Sequence, residues 1–312
     1  MQNILFIVLG LVLLIMGGNW LLKAAVALSL RLSIPKIVIG MTVVSLATSA
    51  PELIVSIKSA LNGLPDLALG NVVGSNIANL ALVLGITVIL GTIEVKKSFY
   101  TTDWPVMMLA SLLFFGFIFF DGELQRYEGV IMVISLVIFL VYLLRFQKTA
   151  VVDELPEDDV LLPLYKTILF FCIGGVALWG GSELLIKGAV GMANAYGVSE
   201  RVIAVTVVSV GTSIPELAAS IIAVIKKEKA ISLGNLIGSN IFNILAVLGI
   251  TSIITPIRVM DERLLSNDIF WMLGVSFLIL PLVLIPRGLR LGWRNGILLI
   301  AVYAIFVYIT IS

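Results

Sequence analysis

Ten apolar stretches, each long enough to cross a lipid bilayer as a helix, constrain this chain more than any other feature of its sequence. A spanning helix needs roughly 20 mostly apolar residues. Short polar connectors separate the stretches, and none is long enough to form a separate soluble domain. The pattern predicts an all-α polytopic membrane protein with ten transmembrane helices. The predicted spans are residues 3–29, 36–61, 67–92, 102–120, 128–146, 165–194, 200–225, 230–255, 268–286 and 293–311.

The composition is consistent with a lipid environment and limits the kinds of partner and binding site that are expected. Hydrophobic residues make up 60% of the 312 residues and charged residues 12%, which is too apolar for a soluble domain of this size. The net charge of +1, without an extended basic face, argues against nucleic acid as a partner. The chain has no histidine and one cysteine, Cys172, so transition-metal sites and disulfide frameworks are not expected.

The basic residues of the connectors predict an orientation in the membrane. When the connectors are assigned alternately to two sides, one side receives thirteen Lys and Arg residues and the other six, while Lys23 falls inside the first span. The positive-inside rule makes the richer side cytoplasmic. We therefore predict a multi-pass protein of the cell membrane with both termini extracellular.

A polar motif occurs twice, at a constant separation of 164 residues. Residues 42–57 match residues 206–221 at 11 of 16 positions, and residues 69–87 match residues 233–251 at 13 of 19. The matching residues include Thr, Ser, Pro, Glu, Gly and Asn, which a shared hydrophobicity does not explain. The sequence therefore indicates an internal duplication.

The duplication divides the chain into two halves with five predicted spans each. Residues 1–147 form the first repeat, residues 148–164 an acidic cytoplasmic linker, and residues 165–312 the second repeat. Because five is an odd number, the second half must cross the membrane in the opposite sense from the first. We predict two inverted five-helix repeats with broken helices at the midplane, where a transport site is expected.

Two glutamates, Glu52 and Glu216, lie about midway along the second and seventh spans. An ionised carboxylate at that depth costs at least about 2.5 kcal/mol, so each is a functional candidate. Each glutamate directly follows a proline, Pro51 or Pro215, which frees the helix carbonyl four residues earlier. A freed carbonyl at membrane depth must find another donor or bind a cation.

Further oxygen donors lie at helical spacing around each glutamate and in the span that follows it. Residues three or four apart share a helix face, so these side chains can point the same way. Ca²⁺ takes about 6 to 8 oxygen ligands, and Na⁺ accepts the same donors. For Asn71 and Asn235, the sequence leaves ligation and helix packing open. The candidate ligands besides the glutamates are Ser45, Thr48, Ser49, Ser75, Asn79, Ser209, Thr212, Ser213, Ser239 and Asn243.

The two motifs resemble the two alpha-repeats of the cation/calcium exchanger superfamily, especially its prokaryotic Na⁺/Ca²⁺ exchangers. The resemblance rests on Thr-Ser-Ala-Pro-Glu at residues 48–52 and Thr-Ser-Ile-Pro-Glu at residues 212–216, each followed by Gly-Asn-x-x-Gly-Ser-Asn. It covers the whole chain. It implies that Glu52 and Glu216 bind Ca²⁺ directly and that spans one and six slide as a gate. It also implies that Thr48, Ser49, Thr212 and Ser213 assist at the Ca²⁺ site, while Ser75, Ser239, Asn79 and Asn243 complete the Na⁺ positions.

Two positions depart from the family pattern. Ala47 stands where the family usually has Gly, and Asn243 stands where potassium-dependent exchangers and some prokaryotic members carry Asp. The second departure argues against K⁺ co-transport. The proton-coupled branch of the superfamily resembles this chain less, since it typically carries Gly-Asn-x-x-Glu without the Thr-Ser-x-Pro frame.

We therefore expect a Na⁺/Ca²⁺ antiporter that works by alternating access, needs no cofactor and functions as a monomer. A Ca²⁺/H⁺ antiporter, in which Glu52 or Glu216 carries the proton, is the alternative within transport. An intramembrane enzyme would need a nucleophile with a base or a metal-bound water, and the sequence offers no such set. A passive channel would differ by carrying current without countertransport.

Overall fold

The computed structural model describes residues 2–146, 162–196, 211–285 and 288–311, and these residues are almost entirely helical. The helices are α1 (Gln2–Leu32), α2 (Lys36–Thr48), α3 (Ala50–Leu61), α4 (Pro65–Leu90), α5 (Phe99–Asp121), α6 (Arg126–Phe146), α7 (Leu164–Ala195), α8 (Ile214–Ile225), α9 (Lys229–Ile254), α10 (Leu264–Leu284) and α11 (Trp293–Ile311). Four two-residue strands lie in the connectors: β1 (Ile93–Glu94), β2 (Glu123–Leu124), β3 (Ile257–Arg258) and β4 (Arg290–Leu291).

The described helices make this a multi-pass membrane protein. Eight of them are long and apolar enough to cross a bilayer, or nine spans if the pair α2 and α3 counts as one. Each corresponds to one predicted span. The remaining prediction, residues 200–225, is represented by the short helix α8, and its first part lies outside the described residues.

The predicted break at the first motif is present. Helices α2 and α3 meet at Ser49 at an angle of 44°. Pro51 lies in the first turn of α3, where its missing N–H would have no helical partner in any case. Ser213 has nearly the same backbone angles as Ser49, φ −84° and ψ 3° against φ −85° and ψ 1°, and Pro215 likewise begins α8. The residues that precede α3 and α8 therefore share one backbone geometry.

Several helices widen into π-helix for about one turn. Such bulges are rare and often mark functional sites. In α4 and α9 the widened segments contain Asn79 and Asn243, two of the predicted ligands. The segments are Gly40–Val44, Ala78–Val83, Phe99–Asp103, Asn243–Leu248 and Leu264–Asp268.

Helices α4 and α9 form the centre of the molecule. In each of them 78% of the apolar window is buried, whereas none of the other six single-helix spans exceeds 33%. The outer helices expose apolar side chains in large number, as expected for surfaces that face lipid. The repeated Gly-Asn-x-x-Gly-Ser-Asn segments thus lie on two well-enclosed helices.

The connectors pair in a way that agrees with the predicted alternation of sides. Strand β1 pairs with β4, and β2 pairs with β3, both antiparallel. The Lys229 ammonium donates to the Thr92 carbonyl at 2.8 Å, and the Met260 N–H donates to Asp66 Oδ1 at 2.8 Å. Each of these contacts joins two connectors that the sequence places on the same side.

Helices α1 and α7 pack backbone against backbone. A Cβ at Gly17 would lie 2.8 Å from the Leu178 nitrogen, and one at Gly174 would lie 2.7 Å from the Leu21 nitrogen. Glycines at such contacts allow close approach between helices within a membrane. The α1–α7 interface is therefore smooth, with few interlocking side chains at these points.

Candidate functional site

The two glutamates lie in equivalent places, in the first turns of α3 and α8, and both are fully buried. Neither carboxylate oxygen of Glu52 has a hydrogen-bond partner within the described part of the chain. Glu216 Oε1 accepts a bond from Ser49 Oγ at 3.4 Å, and its Oε2 has no partner there. Because a buried, unpaired carboxylate is costly, these oxygens are well placed to bind a cation.

Hydroxyl groups link each motif to the central helix of the other half. Thr48 Oγ1 lies 3.3 Å from Ser239 Oγ, and Ser75 Oγ lies 3.1 Å from Thr212 Oγ1. Thr48 and Ser75 of the first repeat correspond, 164 residues later, to Thr212 and Ser239 of the second. The two contacts are therefore equivalent. The structure therefore brings these four predicted ligands together as two matched pairs. Ser213 Oγ is also buried and has no partner among the described residues.

The amides of Asn79 and Asn243 are oriented with their oxygens free. Asn79 Nδ2 donates to Asn240 Oδ1 at 3.2 Å, and Asn243 Nδ2 donates to Asn76 Oδ1 at 3.1 Å. The Oδ1 atoms of Asn79 and Asn243 are buried without a partner in the described segments. Both side chains thus present an acceptor rather than a donor, as a cation ligand must.

Asn76 and Asn240 are functional candidates that the sequence analysis missed. Each donates from Nδ2 to the backbone carbonyl of the other, at 3.2 Å in both directions. Their Oδ1 atoms accept the bonds from the two ligand asparagines described above. The sequence feature that could have identified them is their position in the repeated Gly-Ser-Asn segment, directly after Ser75 and Ser239.

Three other predicted residues have local roles in packing. Ser45 Oγ lies 2.8 Å from the Gly40 carbonyl and 2.9 Å from the Asn235 carbonyl. Asn71 Nδ2 donates to Ser56 Oγ at 3.0 Å, and Asn235 Nδ2 donates to Ser220 Oγ at 3.1 Å. These bonds join Asn71 and Asn235 to the helices beside them, and Asn235 Oδ1 also accepts from the candidate ligand Thr48 at 3.2 Å. Ser209 lies outside the described residues.

The carbonyl freed by Pro215 finds a donor within the protein. Gly211, four residues earlier, accepts a hydrogen bond at 2.9 Å from the hydroxyl of Ser182 on α7. A freed carbonyl was predicted either to accept a hydrogen bond from another donor or to bind a cation. At Gly211 the first of these is observed. Ser182 was not identified from the sequence, because its partner is 29 residues away and on another helix.

The site offers oxygen ligands only, and two of its groups are carboxylates. The part of the chain that the structure describes contains no cluster of three or more His, Cys, Asp or Glu side chains that could together hold a metal ion. Six side-chain oxygens of the two repeated motifs are buried and have no partner among the described residues: Glu52 Oε1 and Oε2, Glu216 Oε2, Ser213 Oγ, Asn79 Oδ1 and Asn243 Oδ1. Fold and site together define a polytopic helical membrane protein whose centre presents ligands of the kind that hard cations take.

Comparison with known proteins gives the family. The family model described as sodium/calcium exchanger protein matches residues 2–145 and 166–312, and the chain belongs to this family. It is 38% identical over 300 residues to the putative antiporter CaxA of Alkalimonas amylolytica, covering 92% of this chain and 90% of that protein. It is 28% identical over 349 residues to the sodium/calcium exchanger MaX1 of Methanosarcina acetivorans, covering 98% of both chains.

A solved structure has the same fold. The sodium-calcium exchanger NCX_Mj, soaked with 2.5 mM Na⁺ and 0.1 mM Ca²⁺, superposes with a TM-score of 0.82 at 27% identity. The match covers 99% of this chain and 98% of that one. The resemblance to prokaryotic Na⁺/Ca²⁺ exchangers that the two motifs indicated is therefore confirmed.

Proposed function

We propose that this protein is a secondary active Na⁺/Ca²⁺ antiporter that moves Ca²⁺ against an inward flow of Na⁺ by alternating access. The observation that carries the proposal is that Glu52, Glu216 and three further residues of the repeated motifs contribute six buried oxygens without a partner among the described residues. Two carboxylates balance the charge of one Ca²⁺. The ions in the name of MaX1 and in the description of NCX_Mj support the same pair of substrates.

The proposed architecture is ten transmembrane helices in two inverted five-helix repeats. Residues 1–147 and 165–312 form the repeats, and residues 148–164 form the cytoplasmic linker. Support comes from the central contacts, because the Asn76–Asn240 and Ser75–Thr212 contacts each have a counterpart at the separation of 164 residues. The proposal includes extracellular termini and function as a monomer.

Both ions would use the same carboxylates. Glu52 and Glu216 would bind Ca²⁺ with the help of Thr48, Ser49, Thr212 and Ser213. Na⁺ positions would be completed by Ser75, Ser239, Asn79 and Asn243, with Ser45 and Ser209 beside them. Because one set of charges serves either cation, Ca²⁺ and Na⁺ compete, and competition couples their movements. An empty site would carry two buried, uncompensated charges, which disfavours a change of access without a bound ion.

The change of access would use the α1–α7 interface. The resemblance assigns the gate to spans one and six, and these are α1 and α7. Glycines on both helices bring the two backbones into close contact, and the slide would run along this contact. Ser182, on α7, is bonded to Gly211 beside the second motif, which would tie the position of this helix to the site.

A Ca²⁺/H⁺ antiporter is the second candidate. It is favoured by the environment of Glu52, whose two oxygens have no partner in the described region and could be neutralised by a proton when no cation is bound. The two candidates use the same carboxylates and differ in the driving ion, so an ion-gradient measurement separates them.

The experiment uses the purified protein in sealed liposomes loaded with Na⁺. Uptake of ⁴⁵Ca²⁺ is followed after dilution into Na⁺-free choline medium, alongside Glu52→Gln, Glu216→Gln and the control Glu94→Gln. Glu94 is an exposed connector residue outside the site. Uptake that requires the Na⁺ gradient, and is abolished only in the first two variants, supports the proposal. Uptake that follows a pH gradient without Na⁺ selects the second candidate, and uptake under neither gradient rejects both.

A further inference from the structure

A cavity of about 530 Å³ opens between α1, the start of α7 and the connector from α8 to α9. Three lysines, Lys23, Lys166 and Lys226, come from these three elements and line it. Most of the remaining wall is apolar and includes Leu22 and Phe170. The cavity thus combines a cluster of positive charge with a hydrophobic surface, and it is separate from the buried oxygen site.

The positive charge of this cavity is not balanced within the described structure. None of the three lysine ammonium groups makes a hydrogen bond or an ion pair with another described residue. The one carboxylate in the wall, Glu228, is 2.9 Å from the Lys36 ammonium and is therefore already paired. The guanidinium of Arg31 adds a further charge at the edge, where it donates to the Leu162 carbonyl at 2.9 Å.

The position of Lys23 makes an anionic partner more favourable. This residue lies nine residues before the end of α1 at Leu32, which places its Cα roughly 14 Å from that end at about 1.5 Å per residue. An ammonium within an apolar spanning helix is costly without a partner or access to the interface. Because α1 ends where α7 begins, the Lys23 side chain can extend toward Lys166 at the membrane surface.

We propose that this cavity binds an anionic phospholipid. The phosphate would lie among the ammonium groups of Lys23, Lys166 and Lys226, and an acyl chain would follow the apolar wall beside Leu22 and Phe170. Basic pockets between transmembrane helices bind anionic headgroups in this way. A route for Ca²⁺ or Na⁺ would not be lined by three unpaired cations. The proposal does not depend on which ion drives transport.

The test is a binding measurement on the full chain in a neutral detergent. Thermal stability is titrated with dioleoyl phosphatidylglycerol, with dioleoyl phosphatidylcholine and with inorganic phosphate. The variant Lys23→Gln/Lys166→Gln/Lys226→Gln is compared with Lys58→Gln/Lys97→Gln/Lys227→Gln, which removes the same charge from exposed lysines outside the cavity. Lys166→Gln alone is included, since an exposed position at the start of α7 tolerates substitution if the triple variant does not fold.

We expect phosphatidylglycerol, and not phosphatidylcholine, to stabilise the wild type and the control variant. At about 1 kcal/mol per lysine, the apparent affinity should fall about 100-fold in the cavity variant and about fivefold in Lys166→Gln. Equal responses of wild type, Lys166→Gln and the cavity variant would overturn the proposal. Saturation by inorganic phosphate at the same concentration would overturn it too, because it would indicate a small-anion site without a role for the acyl chain.

Discussion

Asn76 and Asn240 hold each other across the centre of the protein, each side-chain Nδ2 donating to the backbone carbonyl of the other at 3.2 Å. Their own Oδ1 atoms accept bonds from Asn243 and Asn79. The four asparagines form a closed network. Asn76 and Asn240 form hydrogen bonds to protein groups with all parts of their side-chain amides, whereas the Oδ1 atoms of Asn79 and Asn243 have no partner among the described residues and can bind a ligand. Asn76 and Asn240 are therefore positioning residues in the proposed site.

Replacement of Asn240 should weaken Na⁺ binding more than it slows transport. In Asn240→Ala the amide of Asn79 loses its acceptor and can rotate, so its oxygen is no longer held toward the site. Loss of one such hydrogen bond costs about 1 kcal/mol, which corresponds to roughly a fivefold higher Na⁺ concentration for half-maximal exchange. The measurement is the Na⁺ dependence of ⁴⁵Ca²⁺ uptake in liposomes, with Asn62→Ala in the exposed α3–α4 connector as the control. A loss of maximal rate with an unchanged Na⁺ dependence would contradict this role.

Glu52→Gln should stabilise the cation-free protein and remove its response to Ca²⁺. The Glu52 carboxylate has no hydrogen-bond partner in the described structure, so its neutralisation removes a buried charge without breaking a side-chain contact. Thermal unfolding in detergent is measured in a chelator and then with Ca²⁺, which at 100 times its Kd stabilises a one-site protein by about 2.7 kcal/mol. Glu216→Gln should also lose the response but gain less stability, because Glu216 accepts a bond from Ser49. A Ca²⁺ response retained in both variants would exclude these carboxylates as ligands.

Adjacent glycines on α7 provide a matched test of the α1–α7 interface. A Cβ at Gly181 would lie 2.9 Å from the Gly10 carbonyl, whereas one at Gly180 would meet no atom within 4 Å. Gly181→Ala should therefore destabilise the protein by about 1 to 3 kcal/mol, the usual cost of overpacking, and slow exchange. Gly180→Ala should leave both unchanged. Similar melting temperatures and rates for the two variants would indicate that the interface is looser than described.

The ion pair between Lys36 and Glu228 should tie the start of α2 to the start of α9. The two side chains are 10% and 17% exposed, with Nζ and Oε1 at 2.9 Å. Glu228→Gln leaves the ammonium without its partner and should lower stability by about 2 to 3 kcal/mol, below the range for completely buried pairs because some solvent reaches both groups. The double variant Lys36→Glu/Glu228→Lys should recover part of this loss. Thermal unfolding checks both, and a double variant no more stable than Glu228→Gln would argue against a direct pairwise contribution.

Sequence reasoning was most successful where the bilayer imposes a simple rule. Lipid offers no hydrogen bonds, so a spanning segment must be helical, apolar and about 20 residues long, and the lengths of the apolar stretches were sufficient to place α1 and α4. The same rule made Glu52 and Glu216 conspicuous, since a charge inside such a segment is rare without a function. Pro51 marked the break between α2 and α3, because proline cannot continue a helix without loss of a bond.

Tertiary structure decided which polar groups bind one another and which remain free. Asn71, Asn76 and Asn79 lie within nine residues of one another in the sequence and carry the same amide. Yet Asn71 bonds Ser56 on α3, Asn76 bonds Asn240, and the Asn79 oxygen has no partner among the described residues. The periodicity of a single helix cannot distinguish these roles, because the roles depend on which atoms of α3 and α9 lie opposite each amide. The sequence by itself was sufficient for the nine spans seen among the described residues, for the duplicated motif and for the family. The partners of each ligand, the α1–α7 contact and the basic cavity depend on the arrangement of helices in space, since they involve residues more than a hundred positions apart.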